Sequence, residues 1–157
     1  MTKIHSSGAQ LFWLSVLRIL IGWHFLYEGV VKIFDPDWTA YSYLMTSDGF
    51  MKNFFISMAE NPRVLEVVSF LNAWGLALIG LGLILGLFTR VACNFGALLL
   101  ALYYLSHPPF IGIENVLPQE GHYLFVDKNL IELVALLVIS MFPTGRYLGL
   151  DLIFRKK

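Results

Sequence analysis

Residues 18–34, "RILIGWHFLYEGVVKIF", place four ionisable side chains in a run that otherwise has the composition of a membrane span. At about 100° per residue, His24, Glu28 and Lys32 are successive i, i+4 neighbours on one helix face, and Arg18 falls on the adjoining side. A lone charge facing lipid costs several kcal/mol, so this face is expected to point into a helix bundle or toward lipid headgroups. We expect Arg18 and Lys32 to reach toward opposite membrane surfaces, while the deeper Glu28, flanked by His24 and Lys32, needs partners.

The composition assigns the whole chain to the membrane class. Of its 157 residues, 57% are hydrophobic and 14% are charged, whereas a soluble domain has about 25% charged residues. The net charge is zero, which indicates no basic surface for nucleic acid. Cys93 is the single cysteine, which excludes an internal disulfide. Arg18 interrupts the first apolar run and no small-residue cleavage motif follows closely, so we predict a retained helix in a single domain over residues 1–157.

Four apolar segments predict an all-α fold, an integral membrane four-helix bundle. The predicted spans cover about residues 11–34, 66–88, 90–107 and 127–147. A helix needs roughly 20 apolar residues to cross a bilayer core, and the alternation typical of a barrel strand is absent. Gly82 and Gly86 form a GxxxG pair, which favours close helix packing, more often within the bundle than between two copies.

The first long connection, residues 35–65, contains apolar residues at the spacing of a helix face. Its apolar positions are Met51, Phe54, Phe55 and Met58. They predict an amphipathic helix, capped by Asp48 and ended by Asn61 and Pro62. This helix either lies at the membrane surface as a lid or packs on the bundle as an ordinary loop helix. The second connection, residues 108–128, is rich in proline and glycine and is expected to be a structured loop.

The distribution of lysine and arginine predicts the orientation. One side carries Lys3, Arg90, Arg146, Arg155, Lys156 and Lys157. The other side carries Lys52, Arg63 and Lys128, with Lys32 as a fourth if it reaches that surface. The excess of positive charge places both termini in the cytoplasm and both long connections outside.

With this orientation, polar residues from all four predicted spans converge in the outward half of the bundle. These residues are Glu28, Lys32, Asn72, His107, Asn129 and Glu132. They predict a polar pocket that opens outward or sideways to lipid. The alternative is a buried ion-pair network that holds the helices in register, an interpretation that we prefer for Asn72 and Asn129, and His107 also fits a capped loop position.

Other candidate groups have simpler interpretations. Aromatic residues expected to pack or to form interface belts are Tyr103, Tyr104, Trp13, Trp23, Trp38 and Trp74. His5 and His122 lie outside the spans, and we expect surface roles for them. Only His24 is clearly inside a span, and no nucleotide fingerprint or Glu-x-x-His pair occurs, so we expect no haem, metal or nucleotide cofactor.

Three segments carry a family resemblance: "LRILIGWHFLYEGVVKIFDPDW", "LIGLGLILGLFTRVACNFGALLLALYYLSHPPF" and "NLIELVALLVISMFPTGRYLGLD". Together they resemble the DoxX family, and especially its DoxD-type branch, the small subunit of thiosulfate:quinone oxidoreductase. The most specific pieces are Arg18 with the downstream Gly29-x-x-Lys32, "GLFTR" and "NLIEL". The resemblance implies a bacterial or archaeal inner-membrane protein that works with a second subunit to pass electrons from thiosulfate to quinone.

The leading hypothesis is therefore a membrane subunit of an oxidoreductase that binds quinone, with thiosulfate or another sulfur or redox compound as electron donor. Candidate catalytic residues are Glu28 and His24, and candidate quinone-binding residues are Arg18, Lys32, Asn72, His107, Asn129 and Glu132. Expected partners are membrane lipid, a second protein subunit or redox partner, and a second copy of the chain. The alternatives are a membrane anchor for a soluble redox enzyme, with structural charges, and a small-solute transporter, although the short chain has no inverted repeat.

Overall fold

The computed structural model describes residues 7–109 and 125–153, and in these ranges the regular structure is helical. The helices are α1 (Gly8–Phe34), α2 (Tyr41–Met45), α3 (Lys52–Glu60), α4 (Pro62–Leu85), α5 (Thr89–Ser106), α6 (Lys128–Met141) and α7 (Thr144–Tyr147), followed by a 3₁₀ turn, Leu150–Leu152. The all-α prediction is confirmed. Several residues used in the sequence argument lie outside the described ranges: Lys3, His5, His122, Arg155, Lys156 and Lys157.

Two helices, α1 and α4, are long and apolar enough to cross a membrane. Helix α1 begins after Ser7, whose hydroxyl oxygen accepts a hydrogen bond from the Gln10 backbone N–H, while Gln10 Oε1 accepts one from the Ser7 backbone N–H. Helix α4 begins four residues before the predicted start, because Asn61 caps it and Pro62 occupies its first turn. Asn61 and Pro62 thus end one helix, as predicted, and also begin the next.

The four longest helices pack side by side, with α1 against α4, α5 against α6, and further contacts between α4 and α5 and between α1 and α6. Core residues shared by these helices include Phe25, Leu83, Leu136 and Ile139. Outward faces carry large exposed apolar side chains: Trp13, Leu20, Trp23, Phe70, Leu78 and Phe95. Such continuous exposed apolar surface is typical of helices that face lipid.

The closest packing between α1 and α4 depends on glycines other than the predicted pair. A Cβ at Gly80 would lie within 3 Å of backbone atoms of Leu26 and Gly22, and a Cβ at Gly29 would do the same to Ala77. Gly86 instead ends α4 in the left-handed conformation, with φ of 64°. The Gly82–Gly86 pair therefore does not form the close contact between α1 and α4, because α4 ends before Gly86.

The fourth predicted span ends earlier than expected, at Met141 rather than 147. Phe142 is extended, with φ −107° and ψ 148°, because Pro143 clashes sterically with a helical residue before it. The 14 residues of α6 extend about 21 Å, less than the roughly 30 Å of a bilayer core. A bundle with all four helices crossing the membrane, and a single domain over residues 1–157, both stay predictions.

The first long connection holds two helices rather than one. Helix α2 was not predicted, and α3 begins after Met51 with no side-chain cap. Asp48 does not cap α3, because the cap position of the helix lies three residues further on, at Met51, and no side-chain oxygen accepts from its first turn. The Asp48 backbone N–H donates to the carbonyl oxygen of Ser106, 2.9 Å away. Buried residues on both helices, including Leu44 and Phe55, pack together over the end of the bundle. This packing favours the interpretation as a loop helix packed on the bundle.

Candidate functional site

A cavity of about 870 Å³, called here the polar cavity, lies where α1 and α5 end and α4 and α6 begin. Predicted site residues in its wall are His24, Glu28, Lys32, Asn72, His107 and Asn129. They come from α1, α4, the end of α5 and the start of α6. The helix ends and the first long connection thus bring together side chains that are up to 105 positions apart in the sequence.

Lys32 is the best-connected cation in the cavity. Its Nζ donates to Asn72 Oδ1 at 3.1 Å and lies 3.7 Å from Glu28 Oε2. The ammonium group also lies 5.2 Å from the centre of the Trp38 ring and 5.9 Å from that of Tyr103. The Lys32 side chain is only 17% exposed, so it does not extend to the membrane surface as the sequence suggested, whereas Glu28 is 48% exposed.

The hydrogen bonds continue from Lys32 into α5. Asn72 accepts from Lys32 and donates through Nδ2 to the Tyr103 hydroxyl oxygen at 2.6 Å. The Tyr103 hydroxyl therefore acts as an acceptor here, and within residues 7–109 and 125–153 its own proton has no acceptor. A bound carbonyl group in the cavity is a suitable acceptor for that proton.

His24 is paired across the bundle rather than with Glu28. Its Nδ1 lies 2.9 Å from Oε1 and 3.1 Å from Oε2 of Glu132 on α6. Glu132 is the more buried partner of the two. This pair ties α6 to α1 and separates the two candidate catalytic residues, since Glu28 is associated with Lys32 instead.

His107 is buried, with 3% exposure, in the cavity wall. Its Nε2 lies 3.3 Å from Thr46 Oγ1, and that hydroxyl lies 2.8 Å from the Ser42 carbonyl oxygen, to which it donates. His107 is then the donor to Thr46, so neutral His107 carries its lone pair on Nδ1. Nδ1 has no hydrogen-bond partner among the described residues and is itself buried in the wall.

The sequence reasoning missed the aromatic residues of the site. Trp38, Tyr43 and Tyr103 all line the cavity, although Trp38 and Tyr103 were assigned to packing or interface belts. The ring centres of Tyr43 and His107 lie 4.4 Å apart, with the planes tilted by 48°. Burial raises the pKa of Tyr43, which keeps its hydroxyl protonated. The i, i+4 spacing of Tyr103 and His107 is a signal that places both on one face of α5.

Asn129 has a structural role in addition to its place in the wall. Its Nδ2 donates to Asp127 Oδ2 at 3.0 Å, and Asp127 caps α6 by accepting from the Leu130 amide at 2.8 Å. The preferred interpretation of Asn129 as a structural residue agrees with these contacts. Asn72, by contrast, has both of its hydrogen-bond partners in the cavity wall.

Arg18 lies apart from the other candidates. It is 1% exposed, does not line the polar cavity, and its Nη2 donates to the carbonyl oxygen of Leu148 at the opposite end of the molecule. Its guanidinium group packs over Gly86, where a side chain would collide with it. The expected extension of Arg18 to a membrane surface is therefore wrong, because the segment after α6 folds back over it.

The polar cavity lies almost entirely within one recognised family region, since the family model for DoxX matches residues 13–107. The chain belongs to the DoxX family. DoxX proteins are membrane proteins associated with redox processes, and the match covers α1 to α5. It includes His24, Lys32, Asn72, Tyr103 and His107. The match does not specify the DoxD branch, which stays a prediction.

Other comparisons add no further relative: neither a curated protein nor a solved structure matches this DoxX chain. Among the residues that the structure describes, no cluster of three or more histidine, cysteine or acidic side chains is arranged to hold a metal ion.

Proposed function

We propose that this DoxX protein is a membrane subunit of an oxidoreductase and that it binds a quinone in the polar cavity. The observation that supports this most directly is the convergence of Lys32, Asn72, Tyr103 and His107 on one cavity of about 870 Å³. Ligand pockets for small molecules usually measure about 300–1,000 Å³ and combine apolar walls with a few placed polar groups.

The quinone ring has suitable partners in this cavity. Lys32 and the Tyr103 hydroxyl donate to one ring carbonyl, and Trp38 and Tyr43 offer aromatic faces for the ring. Apolar side chains on the inner wall receive the ring edge and the start of the tail: Phe25, Leu76 and Leu100. His107 belongs to the same wall, with its ring beside that of Tyr43.

Quinone reduction consumes two electrons and two protons, and the protein must supply a proton route. Glu28 is half exposed at the cavity wall, a position from which a carboxylate reaches water as a proton relay. His24 and Glu132 form a second protonatable pair deeper in the bundle. The electrons come from a second protein subunit, since the residues of the cavity offer proton transfer and binding.

The charge of the cavity bears on the electron donor. Its wall carries the carboxylates of Glu28, Asp35, Asp37 and Asp127 against the ammonium groups of Lys32 and Lys128. This excess of negative charge disfavours a dianion such as thiosulfate and tolerates a neutral quinone. If thiosulfate or another sulfur anion is the donor, it binds to the partner subunit rather than here.

We further propose that the bundle lies in a bacterial or archaeal inner membrane with both termini in the cytoplasm. The first long connection lies at the same end as the polar cavity, and Arg90 and Arg146 lie at the other end. The positive-inside rule then places the cavity on the outer side.

The direct test is extraction of small molecules from the detergent-purified protein, where we expect about one quinone per chain. Lys32→Met is expected to weaken quinone binding by about tenfold, the effect of losing one hydrogen bond from a charged donor. Lys52→Met, which removes an exposed lysine outside the cavity, is the matched control. Glu28→Gln is expected to keep the quinone but to abolish quinone-linked turnover with the partner subunit.

Two results would contradict this proposal. Protein that contains no quinone and binds none when it is added would exclude a quinone site. Equal quinone affinity in Lys32→Met and Lys52→Met would show that the polar cavity is not where the quinone binds.

One observation favours the alternative of a membrane anchor with structural charges. His24 pairs with Glu132, and Lys32 pairs with Glu28 and Asn72, as in a network that holds helices together. In that case a soluble redox partner co-purifies with the protein, and its activity is insensitive to Glu28→Gln and His24→Gln.

A further inference from the structure

A second, smaller cleft of about 260 Å³ lies at the end of the molecule opposite the polar cavity. We call it the arginine cleft. Its wall includes Arg90 from α5 and Arg146 from α7, together with the apolar side chains of Val91 and Phe142. No predicted site residue lines this cleft, and the proposed quinone function does not use it.

The walls of the arginine cleft are held together by contacts between distant parts of the chain. Asp151 accepts hydrogen bonds from the backbone amides of Phe88 at 2.8 Å and Thr89 at 3.1 Å. The backbone amide of Asp151 donates to the Gly86 carbonyl oxygen at 2.9 Å, and the Arg18 side chain donates to the Leu148 carbonyl oxygen. These bonds fix α7 beside the start of α5, so that Arg90 and Arg146 face the same opening in advance of any ligand.

The charge of this cleft favours an anion. The guanidinium groups of Arg90 and Arg146 are exposed, whereas the carboxylate of Asp151 is already bonded to two backbone amides. The wall therefore carries two available positive charges against one negative charge that is partly satisfied. Arginine forks match the geometry of a phosphate group.

The position of the cleft favours a lipid over a soluble anion. Helix α4, which is long and apolar enough to cross a membrane, ends at Leu85, and the cleft begins only three residues later. The cleft thus lies at the depth where a span leaves the hydrocarbon region. Val91 and Phe88 expose apolar surface beside the arginines, which suits the first methylene groups of acyl chains.

We propose that the arginine cleft binds an anionic phospholipid, with the headgroup phosphate between Arg90 and Arg146 and the acyl chains along Val91 and the outer face of α5. This proposal depends on α4 crossing a membrane and does not depend on quinone binding. Basic pockets between helices at the cytoplasmic side of a membrane recognise lipid headgroups in this way.

The test is native mass spectrometry of the full chain in a neutral detergent, with phosphatidylglycerol, phosphatidylcholine or inorganic phosphate added at equal concentrations. We expect phosphatidylglycerol to bind preferentially, and Arg90→Gln with Arg146→Gln to weaken its binding by roughly thirtyfold, about fivefold for each charge. The matched control is Arg63→Gln with Lys52→Gln, which removes two exposed cations from the opposite end. A thermal unfolding transition establishes that each variant is folded. If the double arginine variant does not fold, the two single arginine variants are used in its place.

Three outcomes would overturn the proposal. Equal binding of phosphatidylglycerol and phosphatidylcholine would show that the cleft has no preference for anionic lipid. An equal loss of binding in the control pair would show a general effect of surface charge. Displacement of phosphatidylglycerol by inorganic phosphate at the same concentration would identify an ion site rather than a lipid site.

Discussion

The two ends of α1 use ionisable side chains in opposite ways. Near the end of the helix, Lys32 and Glu28 line an open cavity, with side chains that are 17% and 48% exposed. Near its start, Arg18 is 1% exposed and closed in by Gly86 and the segment around Leu148. A charge that borders a cavity stays accessible to a ligand, whereas a charge enclosed by the chain serves to hold that chain in place.

The largest effect that distinguishes the two ends is expected at Arg18. Arg18→Ala removes a fully buried side chain and leaves the Leu148 carbonyl without its donor, so we expect a loss of about 3 kcal/mol in the free energy of unfolding. Arg18→Met refills most of the volume without burying a charge and is expected to lose less. The measurement is denaturant unfolding in detergent.

The same variants can also break the comparison. If Arg18→Ala unfolds at the wild-type denaturant concentration, Arg18 does not hold the C-terminal segment. If Arg18→Met stays folded but binds no quinone, Arg18 contributes to the polar cavity after all.

A smaller effect is expected from the glycines that allow α1 and α4 to pack closely, Gly29 and Gly80. Gly80→Ala places a Cβ against the backbone of Leu26 and Gly22, which no side-chain rotation relieves, so we expect a loss of about 2 kcal/mol. Gly75→Ala is the matched control on the same helix, since a Cβ there meets nothing within 4 Å and raises helix propensity by up to about 1 kcal/mol.

Thermal unfolding of the two glycine variants, compared under identical detergent conditions, checks this expectation. Equal melting temperatures for Gly80→Ala and Gly75→Ala would mean that α1 and α4 do not pack at the close distance seen here. Some other contact would then have to hold α1 in place between the two ends of the molecule.

The smallest effect is expected at Tyr103, within the polar cavity. Tyr103→Phe removes the hydroxyl that accepts from Asn72 and whose proton has no acceptor within residues 7–109 and 125–153. Quinone binding is therefore expected to weaken by about fivefold, the effect of one neutral hydrogen bond. Tyr104→Phe is the control, because the Tyr104 hydroxyl donates to the Phe125 carbonyl oxygen instead. Equal quinone affinities in a titration of the two variants would remove Tyr103 from the site.

Much of the cavity could be predicted from local spacing. The i, i+4 positions of His24, Glu28 and Lys32 follow from helix geometry, and all three line the cavity. The break after Met141 also has a local signal in Pro143, although the apolar composition around it suggested a longer helix. Helix α2 has only five residues, too few for a hydrophobic period to be distinguished from a loop.

Composition and periodicity determined by themselves that this chain is helical, that α1 and α4 suit a membrane, and that one face of α1 is polar. The tertiary structure decided which partner each charge finds: His24 pairs with Glu132, 108 positions away, and Arg18 bonds to Leu148, 130 positions away. The physical reason is that helix geometry sets neighbours three or four residues apart. Contacts between distant segments depend instead on how the connections return the chain to α1.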